Sequence, residues 1–272
     1  MDDQDDQLSY AYAVVRPVAA LERDALPGVR GVADAPVTLV HHGNVAAAVS
    51  PVPRADFSEA ALKTHLEDLD WLETVARAHH HVVETLGAHT TVLPLRLATV
   101  YLDDARVREM LGEQEKAFTA LLDRLADHVE WGVKVYAEQS RTTARPQAAT
   151  PADEPDSGRA YLRQRRRQQH AREDAWSSAV QAVRRIEDQV WNLAVAHARH
   201  RPQQGRLAGG TGENVANDAY LVPRRLAEEF RDRVLHAAEE FPGVRVEVTG
   251  PWVPYSFAQA PEPQPPEGAR QR

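Results

Sequence analysis

Two hydrophobic periods take turns along this chain, and their order limits the folds open to it. Leu8 to Arg16 (LSYAYAVVR), Pro36 to His42 and Asn44 to Pro51 have the makeup of strands, with His42-Gly43-Asn44 as a hairpin turn. A stripe of Leu62, His65, Leu69, Leu72, Ala76, His79, Val83 and Leu86, stepping by three and four, predicts one helix over Ser58 to Leu86. Thr91 to Tyr101 (TVLPLRLATVY) returns to strand, with Pro94 marking an edge or bulge. Asp103 and Asp104 suit the start of a second helix that reaches His128. Trp131 to Ala137 then closes the unit as a strand. Strands first, then helix, strand, helix and strand, predict an α+β sandwich of ferredoxin-like character.

The remainder reads as a second α+β domain. Residues 140–158 are polar, proline-rich and aperiodic, the composition of a linker. The expected layout is an acidic disordered start over 1–7, a first domain over 8–139, the linker, a second domain over 159–257, and a disordered tail over 258–272. The second domain opens with a long helix over 159–200, with Trp176, Ala179, Val183, Ile186, Val190 and Leu193 as its seam. Asn217 to Pro223 reads as a short strand and Arg224 to Phe241 as a helix. Val244, Val246 and Val248 alternate with Arg245, Glu247 and Thr249, the mark of a half-buried strand that Gly250-Pro251 ends.

Composition excludes several functions. Across 272 residues the formal net charge is −8, and Asp2, Asp3, Asp5 and Asp6 supply half of it. The folded part is therefore only mildly acidic, and no broad nucleic-acid surface is implied. With no cysteine, thiol catalysis, disulfides and cysteine-based zinc sites are ruled out. An acidic N-terminus without an apolar segment, and no run of membrane-span length, predict a soluble intracellular protein.

Few constellations suggest chemistry. His79, His80 and His81 are successive on a helix, where neighbours are rotated by about 100° and cannot face one ion. No HExxH spacing or other His/carboxylate set stands out, so no metal, cofactor or catalytic residue is expected. The histidines are expected to make polar contacts in a helix seam packed on the sheet. Arg96 faces away from Leu93, Leu95 and Leu97 if the strand alternates. It is either solvated or held for a partner or an internal carboxylate such as Glu130. Lys134 is expected on the exposed face of its strand. Arg159, Arg163, Arg165, Arg166, Arg167 and Arg172 form a basic helix end beside Tyr161 and Leu162. It suits an acidic protein surface or plain solvation, and it lacks the aromatic interleaving of single-strand RNA binders. Trp252, Tyr255 and Phe257, with two prolines among them, form either a clamp over a core or a binding patch.

Read together, YAYAVV, AAAVSPVPRADF, LKTHLEDLDWLETVARAHHHVVETL, VLPLRLATVY, EWGVKVY, AYLVP and GPWVPYSF resemble, in order, the gas vesicle accessory family GvpL/GvpF. The resemblance covers nearly all of residues 8–257. Two departures are Leu97-Ala98, where the family usually has Phe-Gly, and Val253-Pro254, where it usually has Pro-Pro. Both keep apolar character and leave the L or F type open. The resemblance implies a non-enzymatic, two-domain protein of the cytoplasm or the vesicle, in contact with the small hydrophobic shell protein and other accessory proteins. Arg96, Glu130, Lys134, Arg163, Arg166, Trp252, Tyr255 and Phe257 are the candidate partner-binding or interdomain residues. The competing class is a ferredoxin-like ligand- or metal-binding protein, or an enzyme, using the histidine-rich helix.

Overall fold

A computed structural model describes residues 6–138, 157–202 and 212–258. Apart from edge residues, the expected acidic start, linker and tail lie outside these. The chain divides into two compact units, residues 1–129 with 252–272, and residues 130–251.

The first unit is built on β1 (Gln7–Val15), β2 (Thr38–His42), β3 (Val45–Pro53), β4 (Val92–Pro94) and β5 (Val100–Tyr101). The sheet order is β2-β3-β1-β4, with β5 also on β1, and every pairing is antiparallel. Ferredoxin-like sheets have this order, with a single π-helical turn, Leu21–Ala25, where the first crossover helix would stand. β1 is buried along almost its whole length, so both of its faces are covered. On one face Tyr10, Tyr12, Ala46, Ala48 and Val52 form a core with Val75, Val82, Val83 and Leu86. On the other lies α4 (Asp104–Leu125), which buries Val107, Leu111, Phe118, Leu122 and Leu125. Asp103 caps α4 as its sequence suggests, its Oδ1 accepting from the Arg106 N–H at 2.8 Å.

Two predicted elements are broken here. The helix expected over 58–86 is two, α2 (Glu59–His65) and α3 (Leu69–Gly87), preceded by a short α1 (Arg54–Phe57). Asp68 makes the break, its carboxylate accepting from the N–H groups of Asp70 and Trp71 at 3.0 and 3.2 Å and so capping a new helix. The break rotates the stripe, leaving Leu69 exposed and placing Val75 and Val82 inward. The strand expected over 91–101 is interrupted at Leu95–Thr99. Ala98 there has φ 59°, a left-handed conformation more natural to the glycine of the family pattern.

The second unit contains β6 (His128–Ala137), α5 (Ser157–Val190), β7 (Ala196–His200), β8 (Glu213–Pro223), α6 (Ala227–Glu239) and β9 (Val244–Trp252). Its sheet order is β7-β8-β6-β9. This is β-α-β-β-α-β with the ferredoxin-like order in full. β6 therefore begins the second sheet instead of closing the first, which moves the expected boundary at 139 back to 130. At the other end, residues 252–257 join the first unit and not the second. The helix expected over 159–200 stops at Val190. Val195 N–H then bonds to the Leu221 carbonyl at 2.8 Å, and pairing with β8 takes Ala196–His200 as an edge strand. β8 also starts earlier than expected, and β9 runs through Gly250-Pro251 to Trp252. Trp131, Tyr220 and Phe230 form the aromatic centre, with ring centroids 5.2–6.3 Å apart.

Candidate functional site

Two features of this fold could serve function, and each follows from where local sequence meets packing. The first is the face of α3 that carries the histidines. His79 is 3% exposed and faces β1. Tyr10 Oη accepts from the Ala98 N–H at 3.0 Å and shares a hydrogen bond with His79 Nδ1, also at 3.0 Å. Burial holds the His79 pKa down at about 4, with neighbouring His80 adding to the shift and the Leu95 carbonyl opposing it. Tyr12 Oη in turn accepts from the Val32 N–H at 2.7 Å. The expected polar role in a seam is the one His79 has.

The terminal aromatics lie on this same face. Tyr255 sits 6.5 Å from the His79 ring and 6.1 Å from His80, and Trp252 meets His80 edge-on at 5.8 Å. Phe257 is buried, Tyr255 half-buried and Trp252 41% exposed. Burial raises the Tyr255 phenol well above its usual range, and Glu84 adds to this. Val253 packs so closely on α3 that a Cβ on Gly87 would fall 2.6 Å from its Cγ2. The segment is thus a strap that covers part of the first unit's core.

The second feature is the N-terminal half of α5. Residues 161–174 are exposed on every side, and burial begins only at Ala179 and Ala182. About 20 Å of helix therefore has no packing partner among the described residues. It carries Arg163 and Arg166, which make no ion pair among the described residues, and Arg172, which pairs with Glu213 at 2.8 Å. Tyr161 and Leu162 are 61% and 55% exposed, and Trp176 is 40% exposed. Leu162 precedes Trp176 by close to four helical turns, so the two lie on one stripe.

The other candidates are scattered. Arg96 is exposed in the β4–β5 connection, where its carbonyl accepts from the Thr99 hydroxyl at 2.7 Å. Glu130 is buried on β6, and Lys134, expected on an exposed face, is half-buried two turns of the pleat along. The face assigned to Lys134 also holds Tyr136, which is buried because Arg245 lies over its ring at 4.0 Å. Among the described residues the histidine helix gathers no ligand set. A His/carboxylate group that spacing did not reveal, Glu187, His197 and Asp218, comes together in the second unit.

The sequence pattern described as gas vesicle synthesis protein GvpL/GvpF matches residues 8–259. The chain belongs to the GvpL/GvpF family. Gas vesicle protein L of a Streptomyces species is 45% identical over 254 residues, 93% of each chain. Gas vesicle protein F of the same organism is 27% identical, over 92% of this chain and 99% of its own. Among solved structures, GvpF of Anabaena shares the fold with a TM-score of 0.65 at 17% identity, covering 94% of this chain and 97% of that one. This GvpL/GvpF member is an α+β protein with a role in gas vesicle formation. No helix among its described residues is long and apolar enough to cross a membrane.

Proposed function

We propose that this chain is a non-enzymatic accessory protein of the L type that acts in the cytoplasm and at the growing gas vesicle. In this reading it binds the small hydrophobic shell protein, together with other accessory proteins, before the shell subunit can aggregate. The observation that carries the reading is the uncovered half of α5. A chain that buries both faces of β1 nevertheless leaves Tyr161, Leu162 and Trp176 in water along one half of α5. Exposed apolar residues framed by Arg163 and Arg166 suit a partner that is apolar at its centre and acidic at its rim. The greater identity to an L than to an F of one organism supports the L type.

The test is capture of separately purified shell protein and accessory proteins by the full chain. Binding is expected, and Leu162→Glu with Tyr161→Glu should weaken it by at least about tenfold, the scale of an anchor residue lost from an interface. These positions are exposed, so folding should persist. Association with none of the proteins would sink the proposal. Unchanged binding by the double variant would move the interface off α5.

A further inference from the structure

The edge of the second sheet holds a cluster that no feature of the sequence announces. In the antiparallel pair of β7 and β8, His197 stands opposite Tyr220 and Arg199 opposite Asp218. Residues two apart on a strand share a face, so all four lie on one side of the sheet. Glu187, on the last turn of α5, reaches the same place. The His197 ring stacks on Tyr220 with centroids 4.5 Å apart and planes at 7°, which fixes the direction of Nε2. That atom lies 3.5 Å from Asp218 Oδ1. One ligand atom from each of Glu187, His197 and Asp218 falls within 4.8 Å of the other two.

The distances favour shared coordination over a hydrogen bond. At 3.5 Å the His197–Asp218 contact is long for a charge-assisted hydrogen bond. Two ligands of a tetrahedral zinc ion, each about 2.0–2.2 Å from the metal, stand about 3.4 Å apart. The Asp218 side chain is only 8% exposed, and this loose contact is its sole ion pair among the described residues. A buried carboxylate this poorly compensated needs a cation. Arg199 supplies one to Glu187 at 2.7 Å, but its side chain is 72% exposed and such pairs are weak. It can swing away.

We propose that Glu187, His197 and Asp218 bind a divalent transition-metal ion of the zinc class, with the remaining position open to water. One imidazole and two carboxylates suit zinc, cobalt or nickel better than magnesium or calcium. The ion would tie the end of α5 to the β7–β8 hairpin and stabilise the second unit by mass action. The site stands independently of any partner the chain binds.

The experiment is calorimetric titration of the chelator-stripped full chain with Zn²⁺, with thermal melting alongside. Saturable uptake of one equivalent and a raised Tm are expected. Asp218→Asn and His197→Asn should each weaken binding about tenfold or more, while Arg199→Gln, which frees Glu187, should tighten it. His80→Asn with His81→Asn should leave it unchanged. No saturable uptake would overturn the proposal, as would uptake unaltered in both Asp218→Asn and His197→Asn. If Asp218→Asn fails to fold, Glu187→Gln decides, and unchanged affinity there overturns it too.

Discussion

Acid should loosen the first unit through one residue, His79. Its folded pKa is held at about 4 against an ordinary 6.5, because the ring is buried between β1 and α3. The groups facing it are Tyr10 and Tyr12 from β1, His80 from its own helix, Tyr255 from the terminal strap and the Leu95 carbonyl. No carboxylate among them could pair with an imidazolium. A depressed histidine pKa means that the unfolded chain takes up the proton first. Stability is therefore intact above about pH 6.5, falls as pH drops below it, and reaches its full loss near pH 4. A gap of two to three pKa units corresponds to about 3 kcal/mol in full, of which about 2 kcal/mol is lost by pH 5. Urea unfolding of the wild type and of His79→Gln at pH 7.5 and pH 5.0 isolates this effect, since the remaining histidines titrate in both. The wild type should lose about 2 kcal/mol more than the variant across that interval. Equal losses would refute a buried, neutral His79.

Two substitutions test the terminal strap. Gly87→Ala should raise helix propensity by about 1 kcal/mol. Its new Cβ would nevertheless fall 2.6 Å from Val253 Cγ2, so a net loss of about 1–2 kcal/mol is expected in thermal melting. Adding Val253→Ala should recover most of that loss, and a stabilised single variant would show that the strap does not pack there. Tyr255→Phe removes a buried hydroxyl that has no hydrogen-bond partner among the described residues. Its Tm should hold or rise, and a fall equivalent to more than about 1 kcal/mol would reveal a partner for that hydroxyl.

What the sequence reveals and hides divides along the range of the interactions involved. Elements set by local signals stand where their residues put them: β1, the hairpin around Gly43, and α4 with its Asp103 cap. Asp68 was an equally local signal, a cap residue, but it lies inside a stripe continuous enough to suggest one long helix. Longer-range pairing explains the rest. Ala196–His200 has no strand pattern of its own and becomes β7 only because β8 offers it a ladder. In the same way β6 carries the alternation of any strand, and nothing within it names the sheet it joins. The sequence could place Glu130 and Lys134 on a strand, yet not say what would surround them, and it put Arg96 on a strand that the left-handed turn at Ala98 interrupts.

The same reasoning separates the candidate surfaces. Burial of Phe257, and of His79 beneath the strap, is what core residues need, so those aromatics are legible as structure once the fold is known. The stripe of α5 is the opposite case. Ala179, Ile186 and Val190 follow a seam that packing uses, whereas Tyr161, Leu162 and Trp176, N-terminal to it on the same helix, stay in water, and nothing among the described residues covers them. Large apolar side chains left in water cost solubility and gain no stability within the chain. Three large apolar side chains on one exposed stretch of helix are the strongest physical reason to look for the partner there and not at the strap.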